Sequence, residues 1–267
     1  MKKILICTGG TGGHIFPAIS LAEYLEKKNF NVDFITDYRA KKFINNINLK
    51  KINFINVKTP TGKKGLGLIY SIFLIFISFL YSIFFLLLKK PQLIIGSGGY
   101  VSFPILLAAR LLKKKFVIYE TNSVVGRVNK FFLNSSTKIF TGYPLKNLNI
   151  SNDKVTFVGQ LIREQIYLAK VNNYFKKDDN FDFTLLIIGG SQGAEIFSKT
   201  LPQSLNKLFN LNKKIRIFHQ VGNKEQELKI DFSYKNNPNV AFFNFEPNIE
   251  KYMMLSDLVI TRAGSST

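Results

Sequence analysis

Two glycine-rich turns, each set between an apolar strand and a helix, restrict what this chain can fold into more than any other feature. The first, GGTGGH at 9–14, closes a strand at Lys3–Cys7, and the second, GGSQGA at 189–194, closes a strand at Phe183–Ile188. Glycine suits such places because the backbone must turn with positive φ and leave room for a ligand where a Cβ would stand. The amides of the helix that follows then point into the gap and favour an anion, usually a phosphate. One such turn is weak evidence. Two, half a chain apart and in the same context, predict two nucleotide-type sheets facing one another.

With 267 residues and 46% hydrophobic content, the chain can bury a sizeable core and is expected to form one large or two medium α/β domains. Its single cysteine, Cys7, sits on a predicted central strand, which excludes an internal disulfide framework and points to a reducing compartment. Only four apolar residues follow Lys2 and Lys3 before the first glycines, too few for a secretory signal, so a cytosolic start is expected. The formal charge of +20 has two sources to weigh. Abundant Lys, Asn, Ile and Phe fit A/T-rich codon usage, while a basic surface also attracts anionic membranes and phosphorylated ligands. Nucleic acid is not an expected partner, because the lysines are scattered in pairs and triplets without a helix-turn-helix, zinc or RNA-recognition pattern.

The first half alternates as a doubly wound sheet does. Strands are expected at 3–7, 32–36, 54–57, 93–95 and 116–119, with helices at 17–28, 40–47, 103–112 and a short one from Gly126. That spacing implies a parallel sheet with crossover helices. The polar stretch 147–154 reads as the approach to a linker, dividing an N-terminal domain at 1–160 from a C-terminal domain at 161–267. Strands then recur near 183–188, 216–220, 240–243 and 258–261, and the alternation stops at Thr267 with the second sheet incomplete.

The stretch that begins at Leu66 and ends at Leu88 holds no charged residue and is flanked by Lys63, Lys64, Lys89 and Lys90. Its length meets the criterion of roughly 20 apolar residues for a membrane span. A span would nevertheless place GGTGGH and the later turn GSGGY (96–100) on opposite sides of a bilayer, although both belong to the carboxyl ends of strands in one sheet. Gly67, Tyr70, Ser71, Ser78, Tyr81 and Ser82 fall on one helical face, and Phe73, Phe76, Ile77, Leu80, Phe84 and Leu87 on the other. A peripheral helix, one face on the sheet and one in lipid, with lysines on anionic headgroups, is therefore preferred over a span.

Five segments taken in order, GGTGGHIFPAISLAEYL (9–25), GSGGYVSFP (96–104), YETNSVVGRVNK (119–130), GGSQGA (189–194) and TRAGSST (261–267), resemble the signature set of the MurG family. These are UDP-N-acetylglucosamine transferases acting on undecaprenyl-pyrophosphoryl N-acetylmuramyl pentapeptide in peptidoglycan synthesis. The resemblance covers the whole chain. It implies an α/β GT-B fold of two Rossmann-like domains facing a cleft, and an inverting, metal-independent transfer without cofactor. It also implies a peripheral place on the cytoplasmic face of the inner membrane, with a membrane-associated patch on the first domain.

Such a transfer needs a base for the acceptor hydroxyl and positive or dipolar groups for the leaving pyrophosphate. His14, with an ordinary pKa of roughly 6.5, is the candidate base, or else an orienting or phosphate-contacting group. Thr11, Gly12 and Gly13 offer backbone amides to phosphate. Ser191, Gln192 and Gly193, at the second turn, are placed to hold the donor pyrophosphate by hydroxyl, amide and helix dipole. The resemblance further assigns Asn122 to the donor sugar region, Arg163 to the nucleotide phosphates, the backbone at Glu246 to the uracil, and Ser265, Ser266 and Thr267 to the donor. Gly98, Gly99, Tyr100 and Glu120 fall on the acceptor side, where a carboxylate can orient His14 or where Tyr100 and Glu120 serve a structural role instead. His219 is read as packing.

The chain departs from the family pattern at Thr121, where Gln is usual, and at Gln160 and Leu161, where Asn-Pro is usual. The glutamate that in the family follows the glycine-serine-threonine loop to hold the ribose lies beyond Thr267, so the chain is read as C-terminally truncated. Two alternatives stand beside the lipid-linked transfer: a UDP-sugar:diacylglycerol glycosyltransferase, and a non-catalytic membrane-binding fragment.

Overall fold

A computed structural model describes residues 2–9, 12–44, 49–145, 151–172, 174–190, 193–211, 213–262 and 264. It contains two compact units, one running to Arg163 and one starting at Glu164.

The first unit opens with β1 (Lys3–Cys7), α1 (Gly12–Lys27), β2 (Asn31–Thr36), α2 (Lys41–Ile44) and β3 (Ile52–Phe54). Next come α3 (Gly65–Lys89), β4 (Leu93–Gly96), α4 (Ser102–Leu111), β5 (Phe116–Glu120), α5 (Arg127–Phe132), β6 (Lys138–Thr141) and β7 (Val155–Phe157). Among the described residues seven strands pair in parallel, in the order β3-β2-β1-β4-β5-β6-β7. Strand order reverses between β1 and β4, the switch point at whose carboxyl edge doubly wound sheets bind ligands. Leu5 and Cys7 of β1 face a core layer shared with α3 and α4, while Ile4 and Ile6, one residue out of phase, point to the other side.

Several expected elements move. Helix α1 begins at Gly12 rather than at Pro17, because proline is compatible with an early helical turn and removes only the bond to the Gly13 carbonyl. His14 therefore lies inside the first turn. Strand β3 ends at Phe54, and the apolar residues expected to extend it, Ile55 and Val57, instead bury themselves under α3. Strands β6 and β7 were not anticipated; β7 follows the polar stretch 147–154, so the first sheet continues past the linker signal. The part of the expected helix at 45–48 lies outside the described residues.

Helix α3 is the connection that carries the chain from the edge strand β3 back to β4. Its inward stripe is built of small hydroxyls, Ser71, Ser78 and Ser82, all buried. Ser71 and Ser82 donate to carbonyls one turn back, at Gly67 (2.9 Å) and Ser78 (2.6 Å), and Ser78 donates to Asn56 O at 3.2 Å. Small satisfied side chains let α3 lie close on α4, and Phe85 and Leu86 complete the contact in the core. Phe73, Phe76 and Phe84 are more than half exposed on the opposite side. Tyr70 and Tyr81, grouped with the serines in the sequence, are instead exposed. They flank the stripe, and their long side chains reach outward, Tyr70 under the Lys58 ammonium and Tyr81 beside Phe85.

The second unit comprises α6 (Glu164–Asn172), β8 (Phe183–Ile188), α7 (Glu195–Asn206), β9 (Ile215–Gln220), α8 (Lys224–Leu228), α9 (Phe232–Lys235), β10 (Val240–Phe243), α10 (Ile249–Leu255) and β11 (Leu258–Thr261). Its four strands, also parallel, run β10-β9-β8-β11, again with a switch point, between β8 and β11. Leu185, Ile187, Ile217 and Tyr234 form its centre.

Candidate active site

The register of the first sheet sets Cys7 beside Gly96, so the turns that follow β1 and β4 leave the sheet together. Ser97 N–H donates to Cys7 O at 2.9 Å, and the Ser102 hydroxyl donates to the same carbonyl at 3.0 Å. A Cβ on Gly99 would stand 2.6 Å from Gly9 O, and Gly98 and Gly99 have φ of +85° and +76°. The GSGGY turn thus needs glycine for both conformation and approach.

His14 projects from the first turn of α1 into this corner. Its backbone carbonyl accepts from Thr8 and Ser97 hydroxyls at 3.3 and 3.4 Å. A Cβ at Gly98 would stand 3.1 Å from the imidazole, so the ring packs on bare backbone. Nδ1 lies 3.3 Å from Thr121 Oγ1. Burial lowers the imidazole pKa below its ordinary 6.5, opposed in part by the field of Glu120 and by a hydrogen bond between the ring and the Ser97 backbone.

Glu120, at the end of β5, is fully buried. One carboxylate oxygen accepts from the Asn122 N–H (3.0 Å) and side-chain amide (2.9 Å), the other from Gly126 N–H and the Asn129 amide, both at 2.9 Å. Glu120 therefore organises the loop between β5 and α5 and acts on His14 only through its field; the hydroxyl of Thr121, not the carboxylate, contacts the ring. Asn122 is bound to Glu120 and, at 3.3 Å, to Thr121.

Beside His14 opens a cavity of about 480 Å³ lined by Thr59, Thr61, Gly98, Tyr100, Arg127 and Asn129, among others. Arg127 donates to Thr61 Oγ1 at 3.1 Å, and the same hydroxyl meets the Tyr100 phenol. Hydrogen bonds from Thr61 and Thr59, with the Arg127 charge behind them, lower the Tyr100 pKa. Arg163 stacks on Phe16 of α1, with 4.8 Å from guanidinium to ring centroid, so its cation is held over the first turns of that helix.

In the second unit, Gly189 N–H donates to Gln220 Oε1 at 3.0 Å, tying the glycine turn to the end of β9. Gly193 has φ +71°, and a Cβ there would lie 2.3 Å from Gly222 N. Helix α7 starts at Glu195, so the described helix opens three residues beyond Gln192. The Glu246 carboxylate accepts from Asn248 N–H at 2.8 Å and shapes the turn before α10. His219 is core, as expected, 3.1 Å from the Tyr234 hydroxyl. Thr11, Ser191, Gln192, Ser265, Ser266 and Thr267 lie outside the described residues.

Of the proposed site, His14, Gly12, Gly13, Gly98, Gly99, Tyr100, Glu120 and Asn122 come together at one sheet edge. Thr121, Arg127, Thr59 and Thr61 join them, none having been given a site role from the sequence. Thr121 and Arg127 stood within the quoted segment 119–130, whereas Thr59 and Thr61 belong to no quoted segment.

Two parallel sheets, each with a switch point and a glycine turn at its carboxyl edge, are the Rossmann-like pair of the GT-B fold. Solved structures agree: MurG from Acinetobacter baumannii superimposes with a TM-score of 0.67 at 23% identity, covering 99% of this chain and 74% of that one. A UDP-N-acetylglucosamine 2-epimerase from Listeria monocytogenes gives 0.69 at 11% identity, with 99% and 75% covered. The glycosyltransferase family 28 N-terminal domain matches residues 4–141 and the family's C-terminal domain matches 184–267; the chain belongs to glycosyltransferase family 28.

Curated relatives are similar over the whole chain. One from Pelagibacter ubique is 38% identical across 100% of this chain and 73% of its own length, and one from Rickettsia felis is 37% identical across 100% and 75%. Both are named UDP-N-acetylglucosamine--N-acetylmuramyl-(pentapeptide) pyrophosphoryl-undecaprenol N-acetylglucosamine transferase.

Proposed function

We propose that this protein moves N-acetylglucosamine from UDP-N-acetylglucosamine to undecaprenyl-pyrophosphoryl N-acetylmuramyl pentapeptide, with inversion. The observation that carries the reading is the similarity, over the whole of this chain and 73–75% of theirs, to relatives of that name, together with His14 seated at the switch point of the first sheet. The acceptor hydroxyl attacks the anomeric carbon and passes its proton to His14, while the bond from that carbon to the diphosphate breaks and UDP leaves with the electron pair. Arg127, Thr61 and Tyr100 give the neighbouring cavity the charge and donors that an acceptor diphosphate needs.

The exposed face of α3 supports peripheral attachment to an anionic membrane, with Lys63, Lys64, Lys89 and Lys90 at its ends. The helix is long and apolar enough to cross a bilayer. Because it joins two strands of one sheet and its serine face is packed on α4, the interfacial reading is favoured, at the cytoplasmic face where the UDP-sugar is available.

The test is UDP release from UDP-N-acetylglucosamine with a polyprenyl-pyrophosphoryl N-acetylmuramyl acceptor, compared with diacylglycerol. Release with the first alone supports the proposal. Release with diacylglycerol instead, or lipid binding with no UDP-sugar binding, overturns it.

A further inference from the structure

Thr121 and Gln160, 39 positions apart in the sequence, are in contact. Gln160 Nε2 donates to Thr121 O at 2.6 Å. There is room for this only because residue 142 is glycine: a Cβ there would lie 2.4 Å from Gln160 Nε2. Thr121 is itself fully buried, at the end of β5, and its hydroxyl oxygen is 3.3 Å from His14 Nδ1. The Asn122 amide, whose orientation is fixed by donation to Glu120, approaches the same oxygen at 3.3 Å. The carboxylate oxygens of Glu120 are already engaged by four donors, so the side chain within reach of Nδ1 is a hydroxyl and not a carboxylate, and the Ser97 backbone is the other group bonded to the ring.

We propose that Thr121, pinned through its carbonyl by Gln160, is the positioning residue for His14: Oγ1 accepts from Nδ1–H, fixes the ring and leaves Nε2 as the basic nitrogen. A neutral imidazole carries one proton, and its place is set by the partner of the other nitrogen. A hydroxyl orients the ring without adding the negative charge a carboxylate would bring against Nδ1, and Glu120 remains the charged group whose field reaches the imidazole. The catalytic meaning of this arrangement rests on the reading of His14 as the base given under Proposed function; the arrangement itself does not.

The experiment is long-range proton–nitrogen NMR of the protein labelled with nitrogen-15 histidine, in the wild type, Thr121→Ser, Thr121→Val and Gln160→Ala, with His14→Gln separating its signals from those of His219. The wild type and Thr121→Ser should show the Nδ1-protonated ring. Thr121→Val should lose that preference and shift the His14 titration, and Gln160→Ala should do so in part. Should Thr121→Val fail to fold, Gln160→Ala and Thr121→Ala carry the same comparison. An Nε2-protonated ring in the wild type, or ring nitrogens that do not respond to any of these substitutions, would overturn the proposal. Transfer assays run alongside separate the two readings. Loss of turnover by about tenfold or more in Thr121→Val, with donor KM unchanged and Thr121→Ser close to wild type, is the result expected if His14 is the base. A ring that responds while turnover does not move supports Thr121 as the positioning residue and overturns the assignment of His14 as base.

Discussion

His219 Nδ1 lies 3.1 Å from the Tyr234 hydroxyl, and neither residue has any surface exposed to water. Burial holds the imidazole down to about 4 and raises the phenol, so the pair exists in neutral form in the folded second unit. Among the described residues, His219 Nε2 has no partner, which leaves nothing to stabilise an added proton.

The sign of the resulting pH dependence follows. The unfolded imidazole titrates near its ordinary 6.5 and the folded one near 4, so stability is complete above about pH 6.5 and is lost as pH falls towards 4. The loss should approach about 1.4 kcal/mol per pH unit within that window, and up to about 3 kcal/mol in all. Urea unfolding at a series of pH values, in the wild type and in His219→Asn, measures it; an equally steep acid loss in the variant would assign it to other groups.

His14 is also shifted downward, with a consequence for rate. As the proposed base, His14 must be unprotonated, so kcat/KM should fall as pH drops through its pKa, and burial moves that fall below the ordinary 6.5. A pH–rate profile whose acid limb has its midpoint above 6.5 would contradict the placement of the ring.

Glu120→Gln replaces a carboxylate that accepts four hydrogen bonds with an amide that must turn a donor toward at least one of them. The first unit should lose about 2–4 kcal/mol of unfolding free energy, because buried donors lose their acceptor. Chemical denaturation followed by circular dichroism gives the value. Little change would mean that the loop between β5 and α5 does not depend on this residue.

The two sides of α3 should respond in opposite ways. Phe73→Glu with Phe84→Glu alters exposed positions, so stability should stay within about 0.5 kcal/mol, while sedimentation with anionic phospholipid vesicles weakens by more than tenfold. Ser78→Leu forces bulk between α3 and its neighbours and should destabilise by about 1–3 kcal/mol without weakening vesicle binding. Unchanged vesicle binding in the first variant would remove α3 as the attachment surface.

What the sequence made legible was local. Glycines needed for positive φ at 98 and 99, an apolar strand before each turn and the amphipathic division of α3 are written in adjacent residues, and they led to the fold and to His14. The partner of His14 was not legible, since Thr121 is 107 positions away and meets the ring only because β1, β4 and β5 adjoin in the sheet. How Glu120 is engaged was not legible for a related reason. A carboxylate two residues from an asparagine gives no sign of how many loop amides will converge on it. Tyr70 and Tyr81 went astray because a helical wheel records an angle but not the reach of a side chain.

Helix α3 is also the crossover that returns the chain from β3 to β4 and so creates the switch point beside His14. The proposed surface attachment and the strand order therefore share one segment. Deleting α3 would unthread the sheet as well as remove the exposed phenylalanines. Outward positions can be exchanged singly without touching the fold, whereas the serine stripe beneath them is fixed by what it packs against.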